Sequence, residues 1–336
     1  TVRLYTRASN TTSSGTVSTV QAPMSSSYLA RSTGSTLGSA HRPGSRYGVF
    51  APPGVAGPAV LREQRANLAL VMLLDRITSP ADIAAAGKVR VASGVGFPPM
   101  EEFDTDGKTV IGFDPDLGKA LGDVLGVTFE FSNVDFDGII GSLDAGRQDL
   151  AMTAMVDKAS RRDKVDFVDY LNSGYLIMVK ASDKAVYTDA MALCGKTIAV
   201  EKGSFAVDTS QAIGKQCVAA GKPDVTTTQL PKQENAVTAL DGGRADANIA
   251  LDVTVIDTVK KSSGKFVSVG KPIDPAPLGI ALPKKSTQLR DAVQAALVEM
   301  QADGSYEKIL TAWGMQANGL EKITVNDGLR FNQPSN

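Results

Sequence analysis

The sequence predicts an α/β fold built from strand and helix units around parallel sheets. Three observations carry that expectation. From about residue 86 onward, apolar runs of strand length alternate with amphipathic helical patterns. Glycines punctuate the pattern, closing the helix "FDGIIGSLDAGR" and ending the strand "GKTIAVEKGS" in a turn. The chain of 336 residues, 43% hydrophobic, is long enough for two domains and a sizeable core.

The elements follow in order. "KVRVAS" reads as a strand and leads into the loop "GVGFPPMEEFDTDGKTVIG". In "FDPDLGKALGDVLG", Leu117, Ala120, Leu121 and Leu125 share one helical face, with Asp114 expected as the N-cap. "VTFEFSNV" alternates as a strand, "FDGIIGSLDAGR" reads as a helix, and "DLAMTAM" as a short buried strand. The pattern then repeats: the strand "GKTIAVEKGS", a helix near 205–218, the strand "DVTTTQL", the helix "KQENAVTALDGGR" and the strand "ADANIAL". "PLGIALPK" adds a strand, and "STQLRDAVQAALVEMQADG" and "SYEKILTAWG" add two helices.

Charge divides the chain differently. Residues 1–87 hold eight Arg, no Lys and three acids (Glu63, Asp75 and Asp82), while the whole chain has a formal charge of -1. That first segment is rich in Ser, Thr, Gly and Pro and carries no helical or strand period, so 1–80 is expected to be a disordered leader. A short helix is expected near 60–75, where Asp75 interrupts the apolar stretch and argues against a signal peptide. The longest apolar run there, "LALVMLL", is far below the roughly 20 residues of a membrane span. A near-neutral balance without a basic domain argues against nucleic acid and toward a small ligand.

Seven motifs in order then carry a resemblance: "FPPMEEFDTDGKTVIGFDPDLGKALGDVLG", "DFDGIIGSLDAGRQDLAMTAM", "RRDKVDFVDY", "GKTIAVEKGS", "GRADA", "LGIALPK" and "ADGSYEKILTAWG". Over residues 86 to about 318 the chain resembles the extracytoplasmic solute-binding proteins of amino-acid ABC importers, the type II periplasmic-binding-protein fold. The resemblance implies two α/β lobes joined by two crossover strands, near 175–180 and 271–277. Lobe 1 would comprise 86–176 and 275–318, lobe 2 would comprise 177–274, and 319–336 would be a C-terminal tail. It also implies an extracytoplasmic monomer, without cofactor or metal, that hands its ligand to an ABC transporter permease.

Ligands of open α/β sheets sit at the carboxyl ends of parallel strands, and the family's binding positions fall on such loops here. Phe97 matches an aromatic that packs on the ligand, with a buried core ring as the alternative, and Phe136 matches a second wall. Arg161 matches the arginine that holds a ligand carboxylate through two parallel hydrogen bonds, which lysine cannot supply. An ion pair with Asp163 or Asp166 is the alternative, and Arg162 is expected to be a solvated neighbour. Thr153, Ala154 and Met155 would surround the same carboxylate, and Gly203 and Ser204, opening a helix, would add backbone N–H groups. Glu201 matches a position that varies with the ligand side chain; an acid there suits a cationic ligand, pairing with Lys202 or Lys180 being the alternative.

Two positions depart from the family pattern at the amine end of the site. Gly94 stands where many relatives carry an acid, and Leu251 takes the spacing of the other acid, with Asp252 one residue later. A one-residue slip reverses the face of a strand, so Asp252 is expected to reach the cleft only through a bulge. Cys194 and Cys217 match pairs found in the family, and the resemblance implies a disulfide; two buried thiols are the alternative. An enzyme of the cyclohexadienyl dehydratase type, or a sensory ectodomain, is the alternative function. The lone histidine, His41, falls in the leader and leaves no Ser/His or Cys/His constellation for the enzyme. A sensory ectodomain would be expected to continue beyond Trp313 into a membrane span.

Overall fold

In a computed structural model, residues 79–328 are described. The expected leader up to residue 78, with its short helix, lies outside the described residues.

Strand β1 (Lys88–Ser93) pairs in parallel with β4 (Thr128–Asn133) on one side and β5 (Leu150–Ala151) on the other. At the opposite end of the same sheet, β7 (Thr197–Glu201) lies parallel between β8 (Thr226–Leu230) and β9 (Ala247–Leu251). Two long antiparallel strands, β6 (Val165–Lys180) and β10 (Phe266–Pro283), join these parallel groups, giving the order β4-β1-β5-β10-β6-β9-β7-β8. Their mutual register breaks near Ile273 and Ala276, opposite Tyr175 and Ser173. Each parallel group with its helices makes one lobe, and the two long strands run between the lobes.

The helices pack by the spacing of their apolar residues. In α2 (Phe113–Leu125), Phe113, Leu117, Leu121 and Leu125 are buried four residues apart, and Gly126, at φ 70°, ends the helix. This helix starts two residues earlier than the sequence suggests. Gly112 occupies the N-cap, and Asp114 is drawn inward, fully buried, to bond with other segments. Gly118 lets α2 approach β4, since a Cβ there would lie 2.8 Å from the Phe131 ring. The other major helices are α4 (Ala206–Ala219), α5 (Gln233–Asp241) and α6 (Asp252–Lys261) in the second lobe, and α7 (Thr287–Asp303) and α8 (Ser305–Trp313) in the first.

Two elements differ from expectation for clear reasons. "DLAMTAM" is a strand only over Leu150–Ala151; Met152 N–H still donates to the Ala92 carbonyl at 3.1 Å, and the chain then turns through Ala154 at φ 46°. Within the expected tail, β11 (Thr324–Val325) pairs with β6, so that segment adds a strand to the sheet. Cys194 and Cys217 form a disulfide with Cα atoms 5.5 Å apart, tying α4 to the segment before β7. Among the described residues no helix is long and apolar enough to cross a membrane.

Candidate functional site

The carboxyl ends of β1, β5, β7 and β9 converge on a small enclosed cavity between the lobes. Phe97, Phe136, Thr153, Ala154 and Arg161 line it from the first lobe. Glu201, Ser204, Phe205, Gln233, Ile249 and Leu251 line it from the second, and Tyr175 from β6. Only about 20 Å³ is open to the centre of a water-sized sphere, enough for a water but not for an amino acid. A larger ligand requires the lobes to part or Arg161 to shift.

Arg161 lines this space and is 9% exposed. Its Nη1 donates to the Val156 carbonyl at 2.8 Å and its Nη2 to the Gly203 carbonyl, across the cleft, at 2.9 Å. The guanidinium lies 5.5 Å from the centre of the Phe136 ring. None of the ion pairs among the described residues includes Arg161, so the alternative pairing with Asp163 or Asp166 does not form; Asp166 instead binds Lys284 and Arg290. Burial pushes the Arg161 pKa down, which marks the cost of holding this cation out of water.

Arg162 corrects the expectation of a solvated side chain. It grips the fully buried Asp157 with both Nε, at 2.6 Å, and Nη2. The short turn Ala159–Arg161 sends the two arginines opposite ways, one into the cleft and one behind it.

Glu201, at the end of β7, is 5% exposed and faces the same cavity. Burial pushes its carboxyl up to about 8, against a smaller opposing influence from a backbone N–H and from Lys232. The alternative partner Lys202 pairs with Asp137 of the other lobe at 2.6 Å instead.

The remaining expected positions divide. The Thr153 hydroxyl accepts from Gly94 N at 2.9 Å and donates its hydrogen to Glu101 at 2.7 Å, so that hydrogen is not offered to the cavity. Ala154 N–H donates to Asp114 at 3.0 Å. Met155 is not in the cavity wall; it is packed into the core beneath Ile139 and Phe167. Gly203 and Ser204 form the turn before α4 and do not open that helix: both N–H and Oγ of Ser204 bond the Glu201 carbonyl, and Gly203 presents its carbonyl. Asp252 is also outside the wall. β9 keeps its regular register through Leu251 without a bulge, so Leu251 faces the cavity. Asp252 begins α6 and accepts from Ser173 Oγ at 2.6 Å. At Gly94, a Cβ would lie 3.2 Å from the Thr153 hydroxyl, so an acid there would disturb the contact that Gly94 makes.

Sequence reasoning missed Tyr175, Phe205, Gln233 and Ile249 as wall residues. Phe205 directly follows the quoted "EKGS", so the local signal was present; the others come from segments whose facing depends on how the lobes meet. Four lysines cross the closed cleft: Lys158 to Asp208 at 2.7 Å, Lys202 to Asp137, Lys261 to Glu102 at 3.6 Å, and Lys232 Nζ to the Val95 carbonyl at 3.1 Å.

Two lobes, two long crossover strands and a charged interlobe cavity define a solute-binding protein of the type II periplasmic class. Residues 89–316 match the model of the bacterial extracellular solute-binding proteins, family 3, and the chain belongs to that family. It is 32% identical to the arginine-binding protein ArgT of Corynebacterium glutamicum over 74% of this chain and 81% of that one. It is 28% identical to the histidine-binding periplasmic protein of Salmonella typhimurium, over 72% and 93% of the two chains. Among solved structures, an ancestral arginine-binding protein bound to arginine superposes with TM-score 0.63 at 33% identity, covering 68% of this chain and 98% of the other. The ancestral amino acid-binding protein AncCDT-1, a precursor of cyclohexadienyl dehydratase, gives TM-score 0.63 at 28% identity, over 69% and 97%.

Proposed function

We propose that the protein captures an amino acid with a cationic side chain outside the membrane and delivers it to an ABC transporter permease after the lobes close. The observation that carries this reading is the pair of buried groups, the guanidinium of Arg161 from one lobe and the carboxyl of Glu201 from the other, facing one cavity. In this reading Arg161 exchanges its Gly203 carbonyl contact for the ligand carboxylate, and Glu201 receives the cationic side chain. Phe97, Phe136 and Phe205 supply the apolar and ring contacts between those ends. The names of the relatives, arginine-binding and histidine-binding, support a basic ligand. The lobes meet at the crossover strands, with 86–176 and 275–318 on one side and 177–274 on the other. Binding and release require no covalent step.

The test is calorimetric titration with arginine and histidine. Arg161→Ala should weaken binding by about 2–5 kcal/mol, as for a truncated buried charge pair, and Arg161→Lys should also bind poorly. Melting temperatures should stay near that of the unsubstituted protein. Tight binding by Arg161→Ala would place the carboxylate elsewhere.

A further inference from the structure

Four segments meet behind the cavity wall at two fully buried acids, Glu101 before β2 (Glu102–Phe103) and Asp114 in the first turn of α2. Asp114 Oδ1 accepts from the Tyr170 hydroxyl at 2.8 Å and Oδ2 from Ala154 N–H at 3.0 Å. Glu101 Oε1 accepts from the Thr153 hydroxyl at 2.7 Å, while Oε2 finds no donor. The two acids are brought together by backbone and side chain: Asp114 N–H donates to the carbonyl of Met100, the residue before Glu101, at 3.0 Å, and the acids bond the consecutive residues Thr153 and Ala154. No ion pair among the described residues includes either acid, and Glu201 is the other acid near them.

Two neighbouring buried carboxylates without a cation do not both stay ionised. We propose that Glu101 and Asp114 share one proton, and that this acid pair is a positioning device which holds Thr153 and Ala154 in the shape that faces the ligand. The donor arrangement decides where the proton sits. Asp114 already accepts two hydrogen bonds and serves best as the carboxylate. Glu101 has the unpartnered oxygen and serves best as the acid, donating from Oε2 to Asp114. Burial first, and the Asp114 charge second, push the Glu101 carboxyl up, in keeping with this order. The device is needed because Ala154 has φ 46°, a backbone region that non-glycine residues enter at a cost and that its surroundings must enforce. Asp114 enforces it through the Ala154 N–H, and Glu101 enforces the neighbouring residue through the Thr153 hydroxyl. The positioning role rests on the reading that the ligand carboxylate meets this loop beside Arg161; the shared proton does not.

Infrared difference spectroscopy on the full chain at neutral pH, with Glu101→Gln, tests the proton. The protein should show a protonated-carboxyl stretching band that Glu101→Gln loses, and the band should survive in Glu201→Gln. Glutamine can accept from Thr153 and donate to Asp114, so Glu101→Gln should keep its affinity for arginine. Glu101→Leu can do neither and should bind arginine about ten-fold or more weakly while remaining folded by circular dichroism. An unchanged spectrum in Glu101→Gln, or folded Glu101→Leu with unaltered arginine affinity, overturns the proposal. If Arg161→Ala binds arginine normally while the band is still lost in Glu101→Gln, the carboxylate reading fails and the shared proton stands.

Discussion

Arg162→Ala separates a solvated side chain from a structural clamp. Asp157 is fully buried, and Arg162 holds both of its oxygens in a two-point grip while only 12% of the arginine side chain is exposed. Asp157 Oδ2 also accepts from Gly328 N at 2.8 Å, so the substitution removes the cation and leaves that backbone donor in place. Removing one partner of a buried pair costs about 3–5 kcal/mol, and the remaining donor argues for the lower end, about 3 kcal/mol. Neighbouring Asp169, pushed up to about 7 by burial and by the Asp157 charge, shows that this corner already disfavours a second anion. At about 2–4 °C per kcal/mol for a chain of this size, the melting temperature should fall by roughly 6–12 °C. Urea and thermal unfolding of Arg162→Ala and Arg162→Lys provide the measurement, with lysine intermediate because it keeps the charge and loses the fork. A change within about 0.5 kcal/mol, the range of a surface substitution, would refute the clamp.

Glu201 gives a pH signature. In the free protein it keeps its proton up to about pH 8, and a bound cation favours the carboxylate, so binding releases a proton. Affinity for arginine should therefore rise toward pH 8, by up to about tenfold per pH unit, and then level off. Glu201→Gln should flatten that slope, whereas a pH-independent affinity in the unsubstituted protein excludes a cation at Glu201. Replacing Cys194 and Cys217 together by serine should lower stability by about 3 kcal/mol, from a loop of sequence separation 23, with arginine binding preserved; an unchanged denaturation midpoint counts against it.

What the sequence revealed depended on the range of the interaction. The order of strands and helices was legible because side-chain periodicity is local: Leu117, Leu121 and Leu125 announce one buried face whatever lies opposite. Arg161, Phe97 and Phe136 could be placed near one another because they match the family's binding positions, which lie where strand ends gather in a parallel sheet. The positions of Arg162 and Asp252 were not legible in the same way. Arg162 stays out of water only because Asp157, itself buried under the returning C-terminal segment, lies within reach. Asp252 turns away because β9 passes into α6 without a bulge, and nothing in "IALDVT" marks that choice. Asp114 looked like an N-cap, a local role, yet its partners are Ala154 and Tyr170, respectively 40 and 56 residues further along the chain.

The contacts that shut the cleft differ in kind from those that shape its floor. Lys202 and Asp137 are 59% and 37% exposed at their side chains, and Lys261 and Glu102 are 57% and 38%. Exposed pairs of this kind are worth about 0–1 kcal/mol each and weaken with salt, so together they bias closure without locking it. Behind the wall, the Glu101–Asp114 pair is buried and the Arg162–Asp157 pair joins a buried acid to a largely covered arginine, so neither can be undone without large cost. The geometry therefore confines easy rearrangement to the lobe interface and holds the loop at Thr153 and Ala154 by contacts internal to the first lobe. Arg161 joins the two regimes: its Val156 contact is internal to the first lobe, and its Gly203 contact exists only when the lobes meet. A carboxylate that takes the place of the Gly203 carbonyl favours closure by as much as it binds the closed form better than the open one. The weak lysine latches leave room for that difference to decide the equilibrium.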